Sequence, residues 1–387
     1  MRILHTLPGR NWGGMEHRTL EQVRWLCDHG HEAFIAAPPG GAPAERAIAM
    51  GLPFTPLEFS RPFRSDTLGG LRRLVKEHRI QLIDAHGTRD LKAAFFCRGL
   101  CAIVRTRHVT HKLKTSWLRR MQWRHGSDHL IANSAAVATM LRNSGLVIED
   151  RFSVVSAWAE QEYFTPPPGT PSREAMREAL GIPPDAFAVF NFSMHRVDKC
   201  QDVLLRAMVA LGERAGKAVC VLVGGPTEES TEYGDSLPAL ARELGLGDKV
   251  IFTGLRKDVA AILPAADVVV IASYIESQPR VAAQTLAVGR PLVGTDIGGI
   301  PELINDGVTG WLVPVGDPEA MAETLFRVAT NPAATAQIAA NARAWAETGL
   351  RFDTKMAETL AVYDKAMAHA AKRRAKFVMG DGGRGRD

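Results

Sequence analysis

The chain alternates short apolar runs with longer stretches of helical periodicity. Residues 2–6 form a mainly apolar run, followed by a loop through Gly14 that contains Pro and Gly. Leu20, Val23, Leu26 and Cys27 then share one helical face, Gly30 ends that stretch, and 33–37 reads as a second strand. Further strand candidates are 81–85, 103–106 and 129–132, with a helix-rich stretch between each pair. Strand, helix and strand in this order predict a parallel α/β sheet.

A second series begins after residue 171. The runs 188–193, 218–223, 250–253, 268–272 and 291–294 read as buried strands, and helical segments such as 202–214 and 237–244 intervene. VLV at 221–223 and VVVIA at 268–272 are continuous rather than alternating, as strands covered on both faces should be. Residues 317–371 read as almost entirely helical. Between the two series lies TPPPGTP at 165–171, a stiff, turn-rich segment and the best linker in the chain. The expected domains are therefore 1–165 and 172–350. The basic, Gly-rich end, KRRAKFVMGDGGRGRD at 372–387, is expected to be disordered. Two α/β halves of similar length imply a pseudo-duplicated architecture with a cleft between two sheets, and ligands bind at the carboxyl ends of such strands.

The length of 387 residues gives each half enough chain to bury its own core. The five cysteines include no CxxC pair and fit a reducing compartment. Cys97 and Cys101 lie four apart in an Ala-rich stretch, which places them on one face of a buried helix. The apolar part of the N-terminus is too short for a signal peptide, and no run approaches the 18 or more apolar residues of a membrane span. The expected location is the cytoplasm, with room for contact at the inner face of the membrane.

Charge is divided unevenly. Residues 1–160 carry 23 Lys and Arg against 14 Asp and Glu, a balance of +9; the remainder carries 24 against 28, a balance of −4. The first half therefore suits an anionic partner. Its most basic stretch, 105–126, holds seven Lys and Arg and no acid. Leu113, Trp117 and Met121 recur every four residues within it, an apolar face ringed by cations. That pattern fits a helix lying on an anionic membrane, and equally one packed on its own domain with a basic outer face. Nucleic acid is not expected as a partner, given the acidic second half and the lack of a nucleic-acid motif.

Polar residues collect at the predicted strand ends. Gly13 and Gly14 follow the first strand and open a helix, which permits a phosphate to approach the backbone. Arg196 and Lys199 follow the first strand of the second half, where paired cations suit a pyrophosphate. Gly224, Gly225 and Pro226 form another close-approach turn. Glu276 follows the strand at 268–272 and is placed to accept hydrogen bonds from sugar hydroxyls; Gln284 lies eight residues further on, in a predicted helix. Gly298 to Glu302 would line the same edge. His86 and His108 each follow a strand of the first half.

These residues resemble the family-4 glycosyltransferases, retaining enzymes of the GT-B fold, over about residues 1–370. DVVVIAS at 267–273, Glu276 and GRPLVGTDIGGIPELINDGVTGWLVPVGDPEAMAETL at 289–325 carry the resemblance most strongly. The Gly13–Gly14 loop with Glu16, Ala85 with His86, His108, and Ala132 with Asn133 and Ser134 extend it into the first half, which is most similar to bacterial cell-surface polysaccharide and lipopolysaccharide members. The resemblance implies two Rossmann-like domains, the first for the acceptor and the second for a nucleoside diphosphate sugar, with residues of about 352–371 crossing back onto the first. It also implies a tightly bound cofactor is absent and no metal is required, with a UDP- or GDP-sugar as donor and a glycan or lipid-linked acceptor. Arg196 and Lys199 match the pair on the donor diphosphate, Glu276 the first glutamate of the family's motif on the donor sugar, and His108 the active-site histidine near the transferred sugar. Gly13 and Gly14 match the loop near the diphosphate, and Gly225, Val281 and Gln284 complete the nucleotide-binding set.

Three positions depart from the family pattern. Gln284 replaces the second motif glutamate, Cys200 replaces a glycine, and Ala157-Trp158-Ala159-Glu160 replaces Asn-Gly-Val-Asp. Two other functions use the same residues: a sugar-nucleotide epimerase, which needs no acceptor, and a non-catalytic glycan- or protein-binding module.

Overall fold

Strands β1 (Arg2–Thr6), β2 (Glu32–Ala37), β3 (Phe54–Pro56), β4 (Leu82–Ala85), β5 (Ala102–Arg107), β6 (His129–Ala132) and β7 (Phe152–Val154) form one sheet in the order β3-β2-β1-β4-β5-β6-β7. A second sheet joins β8 (Phe187–Phe192), β9 (Ala218–Val223), β10 (Val250–Gly254), β11 (Val268–Ile271), β12 (Leu292–Thr295) and β13 (Trp311–Val313) in the order β10-β9-β8-β11-β12-β13. Every pairing within both sheets is parallel. The structure, a computed structural model, describes residues 1–110, 116–212 and 214–381.

Each sheet belongs to its own unit, one of Met1–Ser156 with Lys355–Asp387 and the other of Ala157–Thr354. The chain passes to the second unit at Ala157, so the Pro-rich segment at 165–171 lies inside that unit.

In the second unit, Ala188, Phe190, Val221, Val269 and Ile271 pack against helices Arg280–Val288 and Pro332–Gly349. Their neighbours Val189, Cys220, Leu222, Val268 and Val270 turn the other way, onto helices Gln201–Leu211, Thr231–Glu243 and Pro318–Thr330. Burial of both faces is why these strands are apolar at every position. In the first unit, Leu4, Ala36, Ile83, Ala85 and Ile103 pack against Leu71, Leu74 and Val75 of helix Ser65–Glu77.

The last helix, Phe352–Asp381, supplies the fully buried Tyr363, whose hydroxyl donates to Asp84 Oδ2 at 2.8 Å. This helix continues past residue 372, where the basic, Gly-rich composition predicts disorder. Arg373 donates from Nε and Nη2 to both oxygens of the buried Asp128, at 2.7 and 2.9 Å, and such a bidentate pair holds the extra turns in place. Residues 382–387 lie outside the described residues.

Two local expectations need correction. Cys97 ends a 3₁₀ turn, Phe95–Cys97, and Cys101 precedes β5, so they do not share a helix face. Both are nonetheless buried, and burial pushes the Cys97 thiol up to about 11 and that of Cys101 further. In the basic stretch, Leu113 lies outside the described residues, and the helix there is Trp117–His125. Trp117 and Leu118 are each 72% exposed and Met121 41%, while Trp123 turns inward with the Arg105 guanidinium 3.0 Å from its ring centre.

Candidate functional site

The order of the second sheet reverses between β8 and β11, and the carboxyl ends of the strands there form a crevice by topology alone. The loop after β8 carries Arg196 and Lys199, and the loop after β11 carries Glu276. The fold brings them together: Lys199 Nζ is 2.6 Å from Glu276 Oε2. Arg196 Nε is 2.9 Å from Asp198 Oδ1, and Lys199 Nζ is 3.9 Å from Asp198 Oδ2. Two cations and two carboxylates thus alternate across the switch point, a set that can exchange partners when an anion or a polyhydroxyl ligand arrives.

Backbone geometry holds these loops. Gly299 N–H donates to the Glu276 carbonyl at 3.2 Å. A Cβ on Gly299 would stand 1.9 Å from the Ser277 carbonyl oxygen, and one on Gly298 would stand 1.8 Å from that of Glu276. The two glycines therefore serve to let the loop after β12 lie against the Glu276 loop. Gly224 does the same for the loop after β8, since its Cβ would stand 1.9 Å from the Ser193 carbonyl oxygen. Gly225 accepts a hydrogen bond from the His195 N–H at 2.8 Å, which ties the ends of β8 and β9 together. Cys200 adopts φ 52° and ψ 44°, the left-handed region that favours glycine. Its thiol is buried, and burial pushes it up.

Helix Arg280–Val288 follows Glu276 and bears Val281 and Gln284. Val281 packs against the core, and Gln284 is buried with its amide Nε2 donating to Glu160 Oε2 at 3.1 Å. Arg280 forms an ion pair with the same carboxylate. Sequence reasoning noted Glu160 only as a departure from a pattern. Its pairing with Arg280 and Gln284 joins residues far apart in the chain, so no local spacing could signal it.

The first sheet reverses between β1 and β4. Gly13 caps helix Gly14–Asp28 after β1. Glu16 sits in the first turn of that helix, and its buried carboxyl lies against the loop, with Oε2 3.2 Å from where a Cβ on Gly13 would stand. Burial pushes the Glu16 carboxyl up. His86 follows β4 and His108 follows β5, and both are buried. His86 Nδ1 lies 2.9 Å from His108 Nε2, and His86 Nε2 lies 3.0 Å from His5 Nδ1 on β1. Burial holds His5 and His86 down to about 3 and His108 well below the usual imidazole range, and Arg18 adds to the effect at His86 and His108. All three rings are thus neutral. Asp90 fixes the His86 turn: its Oδ2 accepts from His86 N, Gly87 N and Thr6 Oγ1 at 2.9, 3.1 and 2.9 Å. Burial pushes Asp90 up to about 6 against those bonds.

His5, Asp84 and His86 have donor atoms within 4.8 Å of one another. Asp84 already accepts from Thr106 Oγ1 at 2.7 Å and from Tyr363, and the facing nitrogens of His5 and His86 bond to each other. The cluster is hydrogen-bonded core. His5 and Asp90 were missed from the sequence because each acts through strands that meet only in the folded sheet.

Two family models match in succession: "Glycosyltransferase Family 4" over residues 12–157 and "Glycosyl transferases group 1" over residues 187–331. The chain belongs to the family-4 glycosyltransferases. The chain is 35% identical over 250 residues to a D-inositol 3-phosphate glycosyltransferase of Saccharomonospora viridis, covering 62% of this chain and 56% of the relative. It spans about half the length of the curated relatives it matches. A glycosyltransferase from Rickettsia africae, solved by crystallography, superposes with a TM-score of 0.85 at 19% identity, over 95% of this chain and 98% of the other. Anabaena HepE, crystallised with UDP-glucose, gives 0.78 at 23% identity, over 93% and 99%. The two Rossmann-like sheets of this chain are therefore those of the GT-B fold. Among the described residues no helix is long and apolar enough to cross a membrane.

Proposed function

We propose that the protein is a retaining glycosyltransferase that moves a sugar from a UDP- or GDP-sugar to a glycan or lipid-linked acceptor in the synthesis of cell-surface polysaccharide or lipopolysaccharide. The observation that carries this reading is the meeting of Lys199 and Glu276 at 2.6 Å across the switch point of the second sheet. A donor diphosphate there takes the place of carboxylate partners on Arg196 and Lys199, and the two cations stabilise the charge that develops as the diphosphate departs, the work a metal does elsewhere. Glu276, released from Lys199, accepts hydrogen bonds from the sugar hydroxyls. Gln284 offers its amide oxygen to the ribose while Glu160 holds its Nε2. On the first unit, we assign sugar and phosphate contacts to His108 and the Gly13–Gly14 loop. HepE, of the same fold, was solved with UDP-glucose, which favours a uridine donor.

The helix Trp117–His125 favours a lipid-linked acceptor. Trp117, Leu118 and Met121 are exposed beside Arg119, Arg120 and Arg124, an arrangement that suits an anionic membrane surface at the inner face of the cytoplasmic membrane.

The test is a thermal-shift screen of the purified chain against UDP-, GDP-, ADP-, CMP- and TDP-sugars without added metal, repeated on Arg196→Ala and Glu276→Ala. A donor at a hundred times its dissociation constant stabilises by about 2.7 kcal/mol. A shift with one base class, lost in Arg196→Ala, is the expected result. No shift with any nucleotide would overturn the reading in favour of a non-catalytic module, and conversion of donor without acceptor would make the protein an epimerase.

A further inference from the structure

The three imidazoles of the first unit form a series: His5 Nδ1 to His86 Nε2 at 3.0 Å, then His86 Nδ1 to His108 Nε2 at 2.9 Å. Each neutral ring has one N–H and one bare nitrogen, so each contact needs one donor and one acceptor. Both contacts must therefore run in the same direction, and only two arrangements exist. In the inward one, His108 Nε2–H donates to His86, His86 Nε2–H donates to His5, and the His5 proton sits on Nε2. In the outward one, His5 Nδ1–H donates to His86, His86 Nδ1–H donates to His108, and the His108 proton sits on Nδ1.

The far end of the series decides between them. His5 Nε2 is buried and has no hydrogen-bond partner, and His5 itself is wholly inaccessible. The inward arrangement would leave an N–H there, the kind of buried orphan that folded proteins tolerate least. The outward arrangement leaves only a bare lone pair. The Asp84 carboxylate does not rescue the inward form: neither of its oxygens is a hydrogen-bond partner of His5 Nε2, and they accept instead from the hydroxyls of Thr106 and Tyr363 at 2.7 and 2.8 Å.

We infer that His86, backed by His5, is a positioning residue that holds His108 as its Nδ1–H tautomer, so that His108 meets its ligand as a hydrogen-bond donor and not as a base. This deepens the transferase reading, since it rests on that reading for the identity of the ligand, an oxygen of the transferred sugar or of the departing diphosphate. The tautomer itself is independent of it. A fixed N–H needs no reorientation when charge develops on that oxygen, which is how a preorganised donor contributes to catalysis.

The experiment is a long-range ¹H–¹⁵N correlation spectrum of the full chain labelled in its histidine rings, at neutral pH, on the protein and on His86→Leu and His86→Gln. Assignment comes from loss of one ring in His108→Gln. The expected spectrum places the His108 proton on Nδ1. His86→Gln can still donate to His108 Nε2 and keeps that tautomer; His86→Leu cannot, and the His108 signals move toward a mixture of both. An Nε2–H signal for His108 in the unaltered protein would overturn the inference, as would an unchanged His108 tautomer in a folded His86→Leu. Because no sugar nucleotide is present, a failed transferase assay and a failed tautomer assignment remain separate outcomes.

Discussion

Lys199 spans the switch point of the second sheet to place its ammonium 2.6 Å from the Glu276 carboxylate, 77 residues further along the chain. Both side chains keep some solvent contact, at 19% and 15% exposure, so water screens the pair and its contribution falls below that of a fully buried one. Lys199→Met and Glu276→Gln are each expected to destabilise by about 1–2 kcal/mol in urea, with the double variant costing less than their sum by about 1 kcal/mol. If these groups act where charge develops, as proposed, each is also expected to lower transfer from the preferred donor by about 100-fold or more.

Glycines of one type should separate by environment. Gly299→Ala drives a Cβ to 1.9 Å from the Ser277 carbonyl oxygen and must displace the Glu276 loop, with an expected loss of about 3 kcal/mol and of donor binding. A Cβ on Gly14 meets nothing within 4 Å, and the residue begins a helix. Gly14→Ala is therefore expected to hold or raise stability by about 0.5 kcal/mol. If the loop receives a diphosphate, the same substitution weakens donor binding; a calorimetric titration beside a melting curve reads both effects.

Cys200 has the backbone of a glycine with the side chain of a small apolar residue. Cys200→Val puts a β-branched side chain at φ 52° and should destabilise by about 2 kcal/mol. Cys200→Gly relieves the backbone but empties a buried position, and the two effects nearly cancel. Thermal melts that rank Val below both Cys and Gly are the expected outcome.

Acid should act on the first unit through its histidines. His5 and His86 are depressed to about 3, His129 to about 4, and His108 is also depressed. Unfolded imidazoles take up protons near pH 6.5, so below that pH the unfolded chain binds the excess and stability falls with falling pH. Asp90 is raised to about 6 and works the other way, since its folded form holds the extra proton between about pH 4 and 6. The depressed histidines outnumber the raised carboxyls of Asp90 and Glu16, so unfolding near pH 5 takes up protons on balance. Urea midpoints measured from pH 7 to pH 5 should fall steeply, and His86→Gln should reduce the slope by about one proton.

Much of this was legible in the sequence. The run 218–223 coincides with β9, because a strand buried on both faces leaves no polar interruption, and 129–132 coincides with β6, where only His129 at its start is polar. The edge strands β3, β7 and β13, three residues each, escaped notice because so short a stretch carries no period. The charged loop residues were visible as types at strand ends, but their partners were not. Asp198 stands between Arg196 and Lys199 in the sequence and gains meaning only from the Arg196 side chain that reaches it. Glu160 meets Arg280 and Gln284 through the second unit's folding alone, and the histidine series depends on the registers that align β1, β4 and β5.

The Glu16 carboxyl sets a condition on the Gly13–Gly14 loop that a bare turn would not. A Cβ on Gly13 would stand 3.2 Å from Glu16 Oε2, so a buried acid from the first turn of helix Gly14–Asp28 already lies against the loop. If a donor diphosphate docks there, as proposed, it must turn that side chain aside or meet it protonated, and burial, which pushes the Glu16 carboxyl up, eases the second route. A neutral acid then offers its proton to a phosphate oxygen in place of repelling it.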